Sequence, residues 1–322
     1  MSRQPQTPED AAGGSPTYYD LPAIKEPVWI WSVPAYLFVG GAASGAALLG
    51  AVAQMVDADG HATLVGRCRW LAAGGTALSA ALLVHDLGRP ARFLNMLRVF
   101  RPTSAMSMGS WLLAATSSAA GAAVALPRLG MPRLGDAAGA GAGALAPALG
   151  TYTAVLLSDT AVPVWQHTRQ TTPALFAASG LVAATSGLQL LDHPARDERL
   201  LHRLATTAKM ADLAAHQAVE RQADAHPRVG RPLHEGASGA MWKASAGCVA
   251  ASLAMSAVPV PRRWRRLRRR VSALLGVAGS LTARFALFHA GNASARDPRA
   301  TFEPQRRARR AVTDTGTPAS LG

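Results

Sequence analysis

Long stretches without charge dominate the hydrophobic pattern of this chain. Residues 27–56, 102–127, 137–158 and 170–191 contain no Asp, Glu, Lys or Arg. Each stretch exceeds the roughly 18 mainly apolar residues that indicate a transmembrane helix. A soluble alanine-rich bundle would need a charged outer face on every helix, and these stretches would instead expose large apolar patches. The pattern therefore predicts an all-α polytopic membrane protein.

The boundaries of the apolar runs predict seven helices, and one further segment is ambiguous. Residues 199–222 repeat Leu and Ala at helical spacing but also contain His202, Lys209, Asp212 and His216. This segment is either a surface amphipathic helix or a span whose polar residues face neighbouring helices. With it, about eight transmembrane helices are expected. The other seven cover residues 33–56, 68–84, 104–126, 138–160, 173–191, 236–257 and 271–290.

Charge is scarce and unevenly placed. Charged residues make up 16% of the chain, against about 25% in soluble proteins, and the net charge is +14. Residues 262–270 contain seven Arg in nine positions and lie between two apolar segments. A short basic loop of this kind is typical of topology control rather than nucleic-acid binding. It favours a cytoplasmic position for this loop and places both termini on the other side.

The metal-binding potential of the sequence is low. Its two cysteines, Cys68 and Cys248, lie far apart, so no iron–sulfur or zinc site is expected from this chain alone. No two histidines lie in the middle of two firmly predicted helices, which disfavours haem. We expect no metal site and no cofactor bound by this chain.

Small residues cluster in the first predicted helix. Gly40 and Gly41 are adjacent, and Gly41 and Gly45 have the spacing that lets helix backbones approach closely. We expect these three glycines to serve helix packing.

Several ionisable residues share one side of the membrane by topology alone. Asp159 closes an otherwise uncharged span, and a carboxylate there needs a partner or a function. His85 or Arg89 would be a natural partner. A His and carboxylates at headgroup depth suit proton exchange with a quinol, but an Asp159–Arg89 ion pair joining helix ends explains the same residues. The whole set comprises Lys25, Glu26, His85, Asp86, Arg89 and Asp159.

Four stretches together resemble the NrfD family, the quinol-interacting membrane subunits related to polysulfide reductase. The most specific is HDLGRPARFLNMLRVFRPTSAMSMGSW at residues 85–111. Supporting stretches are the entry at residues 18–31, TYTAVLLSDTAVPVW at 151–165 and RFALFHAGNASARDP at 284–298.

The resemblance implies eight helices in two four-helix bundles. Residues 1–32 would form a polar segment with an interfacial anchor, 33–165 the first bundle with a quinone site, 166–290 the second bundle and 291–322 a basic tail. Such subunits lie in the bacterial cytoplasmic membrane. They take quinone or quinol as substrate and sit beside a ferredoxin-like subunit with 4Fe–4S clusters, which often serves a molybdopterin catalytic subunit.

The resemblance also assigns residues. His85, Asp86 and Arg89 match the exit of the second helix, while Tyr152 and Asp159 match the segment that contacts quinone in the family. Gly40 and Gly41 match a glycine pair of the first helix. These five polar residues are the expected quinone-binding and proton-exchange groups of an oxidoreductase subunit. The alternative function is a structural membrane anchor without a quinone site.

Overall fold

The described part of the chain is built from helices. The computed structural model describes residues 29–297 and residue 300, and no strand occurs among them, which confirms the all-α class. A 3-10 turn at Arg262–Trp264 precedes the last helix. The helices are α1 Ser32–Asp57, α2 Ala62–Leu87, α3 Pro90–Arg98, α4 Ala105–Arg128, α5 Pro132–Ser158, α6 Pro163–His167, α7 Thr172–Gln189, α8 Ala195–Asp224, α9 Pro227–His234, α10 Gly236–Ala257 and α11 Arg265–Ala295.

Five helical segments are long and apolar enough to cross a membrane. They are Ser32–Asp57, Ala62–Leu87, Ala105–Arg128, Pro132–Ser158 and Arg262–Ala295. The chain is therefore a multi-pass membrane protein by length and composition. The remaining long helices, α7, α8 and α10, were also expected to span. They form where the sequence predicts them, but they do not meet the same criteria of length, mean hydropathy and low charge.

Short connections make consecutive long helices run in opposite directions. We call the end at which α1 begins and α2 ends the N-side, and the other end the opposite side. By this alternation, α3, α6 and α9 lie on the N-side, and the 3-10 turn lies on the opposite side.

The three short helices were not predicted from the sequence. Each begins with proline at its first turn: Pro90, Pro163 and Pro227. Proline is favoured there because its missing N–H would have no partner in the helix and its φ is already helical. The three prolines were therefore a readable signal for these helices.

Helix α1 occupies a central position. It packs against α2, α5, α7 and α11, while α4 packs on α2 and α5. On the other flank, α7 packs on α8 and α11, and α10 packs on α8 and α11. The close approach of α1 and α7 depends on glycine, because a methyl added at Gly45 would lie 2.6 Å from the carbonyl oxygen of Gly180.

Aromatic side chains fill the core near the N-side. Trp165 of α6 is fully buried, and its Nε1 donates a hydrogen bond to the carbonyl of Leu287 at 2.8 Å. Trp29 stacks on Trp165 with ring centroids 5.6 Å apart. Within the predicted anchor segment, Trp29 therefore packs against the core. Trp31 is 61% exposed, as expected of an interfacial anchor. The rest of the expected polar segment, residues 1–28, lies outside the described residues.

Helix α8 turns its ionisable residues inward. Lys209, Asp212 and His216 are all buried, and α8 packs against α7, α9 and α10. Of the two sequence interpretations, the structure therefore favours a helix whose polar residues face its neighbours over a surface amphipathic helix.

Candidate functional site

The end of α2 brings ionisable residues to the N-side. Gly88 adopts φ +68° and ends the helix with its N–H bonded to the carbonyl of His85. This left-handed conformation suits glycine, which has no Cβ to clash. His85 and Asp86 consequently lie in the last turn of α2, and the extended Arg89 leads into α3.

A cavity opens between α1, α2, α3, α4 and α5 beside this turn. It offers about 700 Å³ of space between atoms, part of it open to the outside. About 70 Å³ of this space can be reached by the centre of a water-sized sphere. The lining is largely apolar and comprises Trp29, Val33, Tyr36, Gly40, Ser79, Leu83, Asp86, Leu87, Met96, Met106, Gly109, Ser110, Leu113, Leu149, Tyr152, Thr153 and Leu156.

Asp86 is the acidic side chain of this lining. It is half-buried and accepts a hydrogen bond from Ser32 Oγ at 3.2 Å. A carboxylate is disfavoured in the last turn of a helix, where the macrodipole is negative. Helix stability therefore does not explain why a carboxylate lies at position 86. Ser32 supplies one hydrogen-bond donor to this carboxylate.

Two tyrosines face the same cavity. Tyr36 is buried and lines the cavity together with Tyr152 and Asp86. The hydroxyl of Tyr152 donates a hydrogen bond to the carbonyl of Ala105. A methyl added at Gly109 would lie 1.9 Å from the Tyr152 ring, so glycine is required beneath it.

The Tyr152 hydrogen bond changes its expected role. The resemblance implies that Tyr152 contacts quinone, and its hydroxyl is bonded to the carbonyl of Ala105. Its oxygen lone pairs can still accept a hydrogen bond from a quinol hydroxyl.

The structure separates the predicted site residues into two groups. Asp86, Tyr152 and Gly40 line the cavity, whereas His85, Arg89 and Asp159 are exposed and lie outside its lining. Asp159, which was expected to need a partner or a function at the end of its span, is exposed directly after α5. His85 contacts the Trp31 ring, with centroids 6.1 Å apart.

The proposed ion pair at the helix ends is not observed. Within the described residues, Arg89 and Asp159 are not joined by an ion pair of 4.0 Å or less. Lys25 and Glu26, predicted on the same side, lie outside the described residues.

The three glycines of α1 that were predicted to serve packing make two different contacts. An added methyl at Gly40 would lie 2.9 Å from Ser79 Oγ of α2, next to the cavity. At Gly41 it would lie 3.0 Å from Arg284 Nη2 of α11, and Gly45 faces Gly180 of α7. Gly40 therefore belongs to the candidate site, and the other two belong to the contact between α1 and the later helices.

Helix α8 contributes a second group of buried ionisable residues, which the sequence places together but to which it assigns no functional role. Lys209 donates to Ser256 Oγ and Ser272 Oγ at 3.2 and 3.3 Å. Asp212 Oδ2 lies 3.1 Å from His216 Nδ1. The sequence pattern indicates this grouping, because positions 209, 212 and 216 are three and four residues apart and therefore share one helix face.

Arg284 completes the buried polar groups of this region. It is about 1% exposed, and its Nη2 donates to the carbonyl of Phe176 at 2.7 Å. Its guanidinium also lies over the Phe176 ring at 3.6 Å. Arg284 thus ties α11 to α7 next to Gly41.

Comparison with known protein families finds a match in the part of the chain that forms most of the cavity wall. Residues 21–124 match the family model of polysulphide reductase NrfD. The match covers α1, α2, α3 and most of α4, which supply most of the cavity wall. No curated protein matches the chain. A match to this family implies a membrane subunit of a redox complex.

Proposed function

We propose that this chain, with its match to the polysulphide reductase NrfD family, exchanges electrons between membrane quinol and an iron–sulfur partner. The complex would lie in the bacterial cytoplasmic membrane with the N-side facing away from the cytoplasm. Helices α1, α2, α4 and α5 would form one bundle, close to the predicted 33–165, and α7, α8, α10 and α11 the other, which extends beyond the predicted 166–290 to Ala295.

The cavity beside Asp86 is the observation that carries this proposal. Its apolar wall suits the ring and tail of a quinone, and its few polar groups suit the two ring oxygens. Asp86 and the Tyr152 hydroxyl can each accept a hydrogen bond from a quinol hydroxyl. A structural anchor, the alternative function, needs no such cavity.

The chemistry follows from the polar groups. Oxidation of one quinol gives one quinone, two electrons and two protons. Asp86 accepts one proton at a time and releases it to water on the N-side, which its half-buried position permits. The two electrons would be taken up by iron–sulfur clusters that the partner subunit supplies.

Filling the cavity tests the quinone site. In Leu83→Trp, the larger side chain would occupy the cavity that Leu83 lines, so a quinone analogue should bind at least tenfold more weakly. Leu78→Trp is the matched control, because Leu78 lies on the same helix and is 52% exposed. Binding is measured by titrating the purified complex with the analogue in detergent.

Two outcomes would count against a quinone site in this cavity. Equal affinity in wild type and Leu83→Trp would contradict a quinone site in this cavity. Absence of analogue binding even in the wild-type complex would favour the structural anchor.

The segment after α2 supports a docking position for the partner. Its exposed Arg residues would attract an acidic protein surface, and its exposed apolar residues would give the contact a dry centre. Leu94, Val99 and Phe100 are each at least 50% exposed. The exposed Arg residues are Arg89, Arg92, Arg98 and Arg101.

Charge reversal tests this docking position. We expect Arg92→Glu with Arg98→Glu to release the iron–sulfur subunit at lower salt than wild type, since like charges would then meet at the interface. Iron and acid-labile sulfide that copurify with the tagged chain provide the measurement. The control is Arg203→Glu, an exposed position on the opposite side, and equal release from both variants would argue against docking over α3.

A further inference from the structure

The cavity beside Asp86 must hold two forms of one ligand that differ in their hydrogen bonding. A quinol donates hydrogen bonds through its two hydroxyl groups, and Asp86 can accept one of them. A quinone carries no hydrogen on its oxygens and can only accept. An ionised carboxylate is also an acceptor only. The oxidised form therefore needs a donor in the cavity wall that ionised Asp86 cannot supply.

Most hydroxyl groups of the described wall already donate their hydrogen within the protein. Four of them donate to backbone carbonyl oxygens: Ser79, Ser110, Tyr152 and Thr153. A ligand could use one of these hydrogens only by breaking the bond that the protein makes with it. These four side chains are therefore poor donors to a quinone oxygen.

Tyr36 has a hydroxyl whose hydrogen is not engaged. Its side chain lines the cavity and is only 6% exposed. Among the described residues, its hydroxyl has no hydrogen-bond partner. A polar group taken out of water without a partner destabilises a fold. Phenylalanine would fill the same space without that cost, so packing alone does not explain the hydroxyl.

The position of Tyr36 on α1 places it between the two ends of the cavity. Residues four apart share one face of a helix, so Tyr36 follows Ser32 and precedes Gly40 on the same face. Ser32 Oγ donates to Asp86, and Gly40 lies against Ser79 of α2. Side chains of a helix lean toward its N-terminus, which directs the Tyr36 ring toward the end that holds Asp86.

Trp29 supplies a second side-chain donor, its indole N–H, to the described wall. Its ring stacks on Trp165 with 18° between the ring planes. Trp165 is itself buried and bonded to the carbonyl of Leu287, so this stacking fixes Trp29 to the core near the N-side. Trp29 also precedes α1, whereas Tyr36 lies one turn inside it. Tyr36 is therefore the better placed of the two donors.

We propose that the Tyr36 hydroxyl is the hydrogen-bond donor that holds a ring oxygen of the quinone form. This inference rests on the proposed quinone site. Asp86 accepts from the quinol, and Tyr36 donates to a carbonyl oxygen once the ligand is oxidised. Tyr36 keeps its own hydrogen throughout, so it binds the ligand and takes no part in proton transfer.

Infrared spectroscopy of duroquinone (tetramethyl-1,4-benzoquinone) bound to the purified complex tests the proposal. A hydrogen bond lowers the stretching frequency of a carbonyl group, and carbon-13 in the ring carbonyls separates their bands from those of the protein. We expect the wild type to show a carbonyl band below that of duroquinone in an apolar solvent, and Tyr36→Phe to lose it. A wild-type spectrum with both carbonyls at the apolar-solvent frequency would overturn the proposal without any variant.

The affinities for duroquinone and duroquinol give an independent measurement. Tyr36→Phe should weaken duroquinone binding roughly three- to tenfold, the effect of one lost hydrogen bond. Duroquinol binding should weaken less than about twofold, because its hydroxyl groups still donate to Asp86. Retained duroquinol binding also shows that the variant is folded. An unchanged ratio of the two affinities would overturn the proposal.

Two matched variants identify the donor. Tyr152→Phe removes a hydroxyl from the same wall, but one whose hydrogen goes to Ala105, so the lowered carbonyl band should remain. Trp29→Phe removes the other donor, and the band should again remain. Loss of the band in either variant with its retention in Tyr36→Phe would overturn the assignment to Tyr36. A wild-type complex that binds neither duroquinone nor duroquinol would instead contradict the quinone site itself.

Discussion

Asp86→Asn is expected to lower quinol-oxidation turnover of the purified complex by about 10²–10⁴-fold, the usual contribution of a general base. The amide keeps the size of the side chain and can still contact Ser32, but it cannot take up a proton from the quinol. Affinity for a quinone analogue should change little, because the cavity keeps its shape. Turnover is measured with a soluble quinol and an artificial electron acceptor for the partner.

Substitutions of two further carboxylates provide the comparisons for this experiment. Asp59→Asn is the control, because Asp59 is exposed in the turn between α1 and α2 on the opposite side. Asp159→Asn separates the sequence prediction from the observed geometry, since Asp159 is exposed and lies outside the cavity lining. A large loss in Asp159→Asn with normal turnover in Asp86→Asn would reverse the assignment.

Gly180→Ala should destabilise the protein by about 1–3 kcal/mol, the usual cost of overpacking a tight contact. A methyl at this position would lie 2.6 Å from the carbonyl oxygen of Gly41, which belongs to the α1 backbone and cannot move aside cheaply. Separation of α1 from α7 is the only relief. The free energy of unfolding is measured by SDS titration in mixed micelles.

A second glycine of the same helix provides the control. No heavy atom would lie within 4 Å of a methyl added at Gly187 of α7. Gly187→Ala should therefore be neutral or stabilise the protein by less than about 1 kcal/mol, through helix propensity. If both substitutions destabilise equally, the glycine contact between α1 and α7 is not what holds these helices together.

The apolar runs predicted the long helices because a span needs a minimum length of uncharged residues. Helix α5 illustrates the limit of that argument: it begins at Pro132, six residues before the predicted 138, because Arg133 and Asp136 interrupt the apolar run. Asp136 pairs with Arg69 at 2.6 Å, and such a partner is not visible from local sequence.

The candidate site was predictable only in part. Asp86 follows from its place at the end of α2, and Tyr152 from the resemblance of its segment. The exposure of Asp159 could not be read from the sequence, because it depends on how the chain leaves α5. The cavity also depends on Gly109, whose importance comes from a Tyr152 ring 43 positions away in sequence.

The contact between Gly45 and Gly180 joins segments about 135 positions apart in sequence. Helix α1 is synthesised first, yet the helix that fits its small-residue face is completed only after five intervening helices. During biogenesis this face of α1 must therefore be covered by lipid or by the insertion machinery until α7 arrives. Assembly of the first four long helices can precede this step, and α7 then docks on α1 before α8, α10 and α11 complete the fold.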